Sequence, residues 1–420
     1  MTTPWKWDVT IYDRPYWRST PNNHHELRLL PGNKLGLQIW SSPSDKVATD
    51  FWKVEHDDRS LVSEDGGMSW RIAEPDPLPP VRSVRTSTGR TVSVMTTEVV
   101  RPRVDRKAHL QSVGLGHLYS DTTFYQYQLY PERMREELIQ QGYKVHEPRS
   151  QGNAAHGAGE GVLATCVGAT LRISEDDGRT WTYRDLTELP FQAHQLGFFR
   201  DPVLTPSGMI VGPSDGVPNP QRKPVDSDQS AAYCLRSEDD GDTWELVTVA
   251  HDPDGAHGFI ECHIAILHSE RLLMMLRHNG SGDDRYIYKA FSDDEGKTWT
   301  DPEPTPMWGY PPNILVLKSG AVLCTYAHRR APYGVRACLS YDEGETWDIG
   351  NEKVLRDDAV DGSISYPTAV HMEDQSIFVI YGINKPVPPL LETEKLGGLD
   401  IRMYVAGSRF TEDFVQPVGA

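Results

Sequence analysis

At 420 residues the chain has room for two or three ordinary domains, yet closed all-β architectures reach this size as one unit, so repeats must decide the count. Its 42 Lys and Arg stand against 60 Asp and Glu, a formal net charge of −18 that repels nucleic acid and anionic membranes and leaves an acidic ligand to be met by cations gathered in a pocket. No secretory n-region opens the chain, no run of 18 apolar residues occurs, and Cys166, Cys234, Cys262, Cys324 and Cys338 are scattered, so a cytoplasmic protein with buried reduced thiols is expected.

In chain order, a lone strand near Trp7–Tyr12 comes first. Apolar strand pairs around a turn then recur at Glu26–Trp40, Val81–Met95, Arg200–Val211, Ile260–Leu276, Pro312–Tyr326 and Pro367–Tyr381. After each of the first five comes one eight-residue turn, Ser-x-Asp-x-Gly-x-Thr/Ser-Trp, running Ser63–Trp70, Ser174–Trp181, Ser237–Trp244, Ser292–Trp299 and Ser340–Trp347. The Asp accepts hydrogen bonds from its own turn, the Gly supplies a positive φ, and the Trp begins the next strand with a ring to bury. A feature written once per unit is a folding device, so these aspartates are read as structural. The sixth unit runs to about Phe410 without the turn and is expected to close the ring by borrowing the N-terminal strand.

The turns start at 63, 174, 237, 292 and 340; the later spacings suit a four-stranded blade, and the first is too long. The excess lies in an insertion at 97–160, where Tyr130–Gln141 reads as a helix with Pro131 near its start and Gly142 at its end. Its His109, His117, His146, His156 and Arg149 make it a candidate lid. The reading is one all-β domain over 1–420, a six-bladed β-propeller with a partly helical insertion in blade two.

These turns and their order resemble the sialidase superfamily, with BNR repeats and Asp-box turns, over roughly residues 20–410. The resemblance implies a site at the propeller axis, three arginines clamping a substrate carboxylate, a Tyr nucleophile activated by a Glu, and an Asp acid/base. Residue by residue it places the Glu at Glu261, the second arginine at Arg277, the third at Arg336 and the nucleophile at Tyr366. The residue types are chemically coherent: a phenol with pKa near 10 attacks only if a carboxylate takes its proton, and paired guanidinium groups give the bidentate recognition that lysine does not.

The chain departs from the family in unit one, which lacks the Phe/Tyr-Arg-Ile-Pro motif and reads Pro21-Asn-Asn-His24-His25-Glu26-Leu27-Arg28. His24, His25 and Arg28 are taken as substrate-binding there, with His156 and Asp201, and Asp50 as the acid/base with Asp45 as substitute. The expected function is exo-acting, retaining hydrolysis of a glycoside of a carboxylate-bearing sugar. The alternatives are a lyase on uronate-type sugars using Tyr366 and His25 or His156, and a non-catalytic carbohydrate-binding propeller. No cofactor is called for; a divalent ion, were one bound, would be held by His24, His25 and Glu26 with Asp201. The partner is a small carbohydrate, with no nucleic acid or membrane, and the reading admits a homo-oligomer.

Overall fold

The segment Leu272–Leu276 is buried at every position, which a strand of period two achieves only when both of its faces are covered. Leu272, Met274 and Leu276 pack toward the preceding sheet, with Val211, Ala232 and Cys234. Leu273 and Met275 pack toward the following one, with Ile314, Val322 and Cys324. The same division recurs, so the hydrophobic clusters of the described residues each lie between two adjacent sheets. Sheets that pack face to face on both neighbours form a ring, and the chain is a six-bladed β-propeller. The structure, a computed structural model, describes residues 5–13, 17–21, 27–43, 59–73, 83–97, 128–130, 144–146, 162–165, 168–185, 201–216, 231–252, 258–280, 284–386 and 401–416.

All six strand pairs anticipated in the sequence form the inner half of a blade, as in Phe259–Ile266 with Leu272–His278 and Ser365–His371 with Ser376–Pro386. Blade six is completed by Lys6–Tyr12, which pairs antiparallel with Ile401–Thr411, so the two ends of the chain close the ring as expected. Blade one holds a surprise: Trp17–Pro21 pairs with the far half of Lys34–Pro43 while Leu27–Leu30 pairs with its near half, so two short segments share the place of one inner strand. The insertion also differs from expectation. Its described parts are strands, Gln128–Tyr130 and Lys144–His146, which flank Val162–Thr165 in a three-stranded sheet. The expected helix falls almost wholly outside the described residues.

The five repeated turns do more than clamp their hairpins. In the fourth, Asp294 Oδ1 accepts the Ser292 hydroxyl at 2.9 Å and the Thr298 N–H at 2.8 Å, and the Trp299 indole N–H donates to the Gly296 carbonyl at 3.0 Å. Four of the five also reach the preceding blade. Glu295 accepts from Thr205 and Ser207 of blade three, and Glu343 accepts the Ser269 N–H of blade four at 2.9 Å. Gly344 explains its own identity: at φ 90° it approaches blade four so closely that a Cβ would lie 2.6 Å from Leu273 Cδ2. Trp347 departs from the pattern, its ring being buried with no hydrogen-bond partner for the indole nitrogen. The turns occupy one end of the ring, and the innermost strands therefore enter from the other.

Candidate active site

Two innermost strands are irregular at that entry end. In blade four, Ile260 pairs with Arg277 and His263 with Met275, so Glu261 and Cys262 together oppose Leu276 alone. In blade six, Ser365 pairs with Gly382 and Thr368 with Ile380, so Tyr366 and Pro367 oppose Tyr381 alone. Pro367 has no N–H to give a ladder, which suits it to such a bulge. Bulges turn a side chain away from the regular alternation of the strand. Here they bring residues of blades four and six into contact: the Tyr366 hydroxyl donates to Glu261 Oε1 at 2.7 Å. Glu261 Oε2 accepts from Arg277 Nη1, from the second strand of its own blade. Its backbone N–H donates to Asp215 Oδ1 of blade three at 3.3 Å, and its φ is +53°.

Arginines gather beside this trio around one buried ring. The guanidinium groups of Arg277, Arg329 and Arg285 lie 4.3, 4.7 and 5.4 Å from the Tyr310 ring centre, and Arg285 also donates to the Tyr310 hydroxyl. Arg329 Nη2 is anchored on the Ile364 carbonyl at 2.6 Å, and Tyr310 on Ala327 O at 3.0 Å. The Nε atoms of all three arginines are buried without a hydrogen-bond partner. Burial opposes the charge of Arg277, but Glu261 and Tyr366 outweigh it and hold its pKa above the ordinary value. Burial and then the like charge of Arg277 push Arg329 below its ordinary value, a deficit Glu261 only partly offsets. Buried guanidinium groups gathered in this way favour an anion beside them.

Glu261, Tyr366 and Arg277, drawn from sequence alone, thus come together, but Arg336 does not join them. Its Nη1 donates to the Arg356 carbonyl at 2.7 Å and its Nη2 to Pro332 O at 3.1 Å, and its Nε lies 3.7 Å from Glu352, all inside blade five. Arg336 lies within a strand, with its side chain drawn into the blade, whereas Arg329 follows the second strand at the entry end. The signal for Arg329 was its place: it directly follows the second strand of blade five, near the end at which Arg277 stands in the second strand of blade four. Asp201, at the entry to the inner strand of blade three, lies 3.2 Å from His263 Nε2, while the Ile314 N–H donates to His263 Nδ1 at 3.2 Å. Arg28 stands on Leu27–Leu30 opposite Gly36. Asp50, Asp45, His24, His25, Glu26 and His156 lie outside the described residues.

Cys234, Cys262, Cys324 and Cys338 are buried free thiols. Among the described residues no group of three or more His, Cys, Asp and Glu is arranged to hold a metal ion. Among them, too, no helix is long and apolar enough to cross a membrane.

The family described as BNR repeat-like domain matches residues 155–379, more than half of the chain. No curated protein matches in sequence. Among solved structures, a protein of unknown function from Dyadobacter fermentans is 20% identical, with a TM-score of 0.63 over 96% of this chain and 97% of its own. The K499G mutant of the NanB sialidase from Streptococcus pneumoniae is 12% identical, with a TM-score of 0.52 over 97% and 69%. The leech intramolecular trans-sialidase, solved with 2,7-anhydro-Neu5Ac, is 12% identical, with a TM-score of 0.51 over 99% and 71%. At these identities the likeness is one of fold, the six-bladed propeller of sialidases.

Proposed function

The chain belongs to the BNR repeat-like domain family, and from that premise we propose that it is a glycoside hydrolase acting on a sugar that carries a carboxylate, with Tyr366 as nucleophile. One observation carries the reading: a phenol from blade six donates its proton to a carboxylate from blade four at 2.7 Å, beside the buried guanidinium groups of Arg277 and Arg329. In the first step the Tyr366 oxygen bonds to the anomeric carbon and its proton passes to Glu261. The glycosidic C–O bond breaks with its electron pair going to the leaving oxygen, which takes a proton from an acid, for which the sequence offers Asp50. Water then displaces Tyr366, and the protons return. A neutral phenol meets an anionic sugar with less repulsion than a carboxylate nucleophile would. Arg277 and Arg329 bind the sugar carboxylate and thereby orient the anomeric carbon.

The test is a panel of 4-methylumbelliferyl glycosides of acidic sugars, uronic and sialic, beside their neutral counterparts. Release of the fluorophore from an acidic member and from no neutral one supports the reading. Absorbance of an unsaturated uronate would mean elimination instead. Binding without turnover would mean a carbohydrate-binding propeller.

A further inference from the structure

Nine described residues other than glycine have a positive φ. Asp177, Asp240, Glu295 and Glu343 occupy the repeated turns, and Asn33, Glu270 and Gln375 the hairpin turns beside them. The remaining two, Asp201 at +33° and Glu261 at +53°, stand at the opposite end, where the inner strands of blades three and four begin. Turn chemistry accounts for the seven and not for these. A side chain held in this region persists only where its surroundings impose it.

For Glu261 the imposing group is visible. Asp215, a buried carboxylate on the second strand of blade three, accepts the Glu261 N–H at the bulge, where the ladder skips Glu261. The bond fixes the backbone orientation from which one carboxylate oxygen reaches Tyr366 and the other Arg277. It also sets a second negative charge near the first. Among the described residues, the charged and titratable groups around Glu261 include Arg277, Arg329, Tyr366 and Asp215, with His263 farther along its own strand paired to Asp201. Arg277 and Arg329 stabilise the ionised carboxylate and so weaken it as a proton acceptor. A base that must take a phenol proton needs an opposing influence.

We propose that Asp215 is a positioning residue for Glu261, holding its left-handed backbone at the bulge and supplying the negative charge that keeps its carboxylate basic beside two arginines. The inference rests on the reading of Glu261 as the base, and it can be tested without a substrate. The carboxyl carbons of 13C-labelled glutamate would be titrated by NMR, with Glu261→Gln identifying the Glu261 signal. Asp215→Asn keeps an oxygen to accept the N–H and removes the charge. It should lower the Glu261 midpoint by about one pH unit, the size expected for a unit charge several ångströms away in partly buried surroundings. An unchanged midpoint in folded Asp215→Asn overturns the proposal. Where an acidic glycoside is turned over, the acid limb of kcat/KM should move down by the same amount. A wild type that hydrolyses none of the panel defeats the glycosidase reading, while the NMR shift still decides the role of Asp215.

Discussion

Two Tyr–Glu–Arg triads built from identical parts stand among the described residues. In one, Tyr366 and Arg277 hold Glu261; in the other, Tyr326 donates to Glu352 while Arg336 lies 3.7 Å from it. The first draws on blades four and six through bulges at the entry end, and its Arg277 is 15% exposed. The second lies wholly within blade five, with Tyr326 directly opposite Arg336 on adjacent strands, Arg336 only 4% exposed and its Nη atoms donating to carbonyls. Residue type does not distinguish chemistry from scaffolding here. The surroundings differ: Arg336 has carbonyl acceptors inside its own blade, whereas among the described residues Arg277 donates to Glu261, whose charge also acts on Arg329.

Exchanging equivalent atoms between the triads gives the largest contrast. Tyr366→Phe keeps the packing of the ring and should lower kcat by at least about three orders of magnitude with little change in melting temperature. Tyr326→Phe should leave kcat near wild type and cost about 1–2 kcal/mol in denaturant unfolding, the scale of a lost buried hydrogen bond. Because Tyr366 and Glu261 act as one unit, Tyr366→Phe with Glu261→Gln should be scarcely slower than the worse single variant. Additive losses would mean the two are independent.

The arginines sharpen the comparison. Arg329→Lys should raise KM for the acidic glycoside about tenfold or more, since an ammonium does not reproduce the planar fork, and should cost less stability than the Arg336 variant, because only the Ile364 carbonyl loses its donor. Arg336→Lys should do the reverse, with KM unchanged and stability lower by about 1–3 kcal/mol from carbonyls left without donors. Equal KM effects would restore Arg336 to the site.

At the far end of the ring, Gly344→Ala should loosen the seam between blades four and five, since it combines a disfavoured φ with a collision against Leu273. A loss of about 2–4 kcal/mol is expected, with the kcat of the folded fraction unchanged. The smallest effect concerns acid. Hydrogen bonds from the Thr180 hydroxyl and N–H lower the Asp176 pKa to about 2. In Asp65, Asp239, Asp294 and Asp342 burial pulls the other way, but hydrogen bonds from the turn prevail and the pKa is also lowered. A depressed folded pKa gives stability that is present above the unfolded value, near 4, and lost as pH falls toward 2. Stability should therefore decline through that window, and Asp176→Asn should flatten the decline.

The ring was legible because its signals are local and repeated: a turn with a fixed Asp, Gly and Trp, and strands buried on both faces. The borrowed strand Lys6–Tyr12 followed from counting, since a sixth unit without its own closing turn needs a partner. Glu261 and Tyr366 were singled out through the resemblance to sialidases, and their contact depends on two bulges that only Pro367 hints at. Arg336 and Arg329 show where spacing fails. They lie seven residues apart in one blade, and only three-dimensional geometry, a strand drawn into the blade against a position just past a strand end, separates them. The reach of four of the turns into the preceding blade was equally hidden, because partners such as Glu295 and Ser207 are far apart in sequence.

The most direct measurement is covalent trapping. The protein would be incubated with activated fluorosugars of acidic type, a 3-fluorosialosyl fluoride and a 5-fluoro uronyl fluoride, then digested and mapped by peptide mass spectrometry. The account predicts a glycosyl adduct on Tyr366 that is absent from Tyr366→Phe and slowed in Glu261→Gln. Steady turnover of an acidic glycoside with no adduct on Tyr366, or with the adduct on another residue, would contradict it.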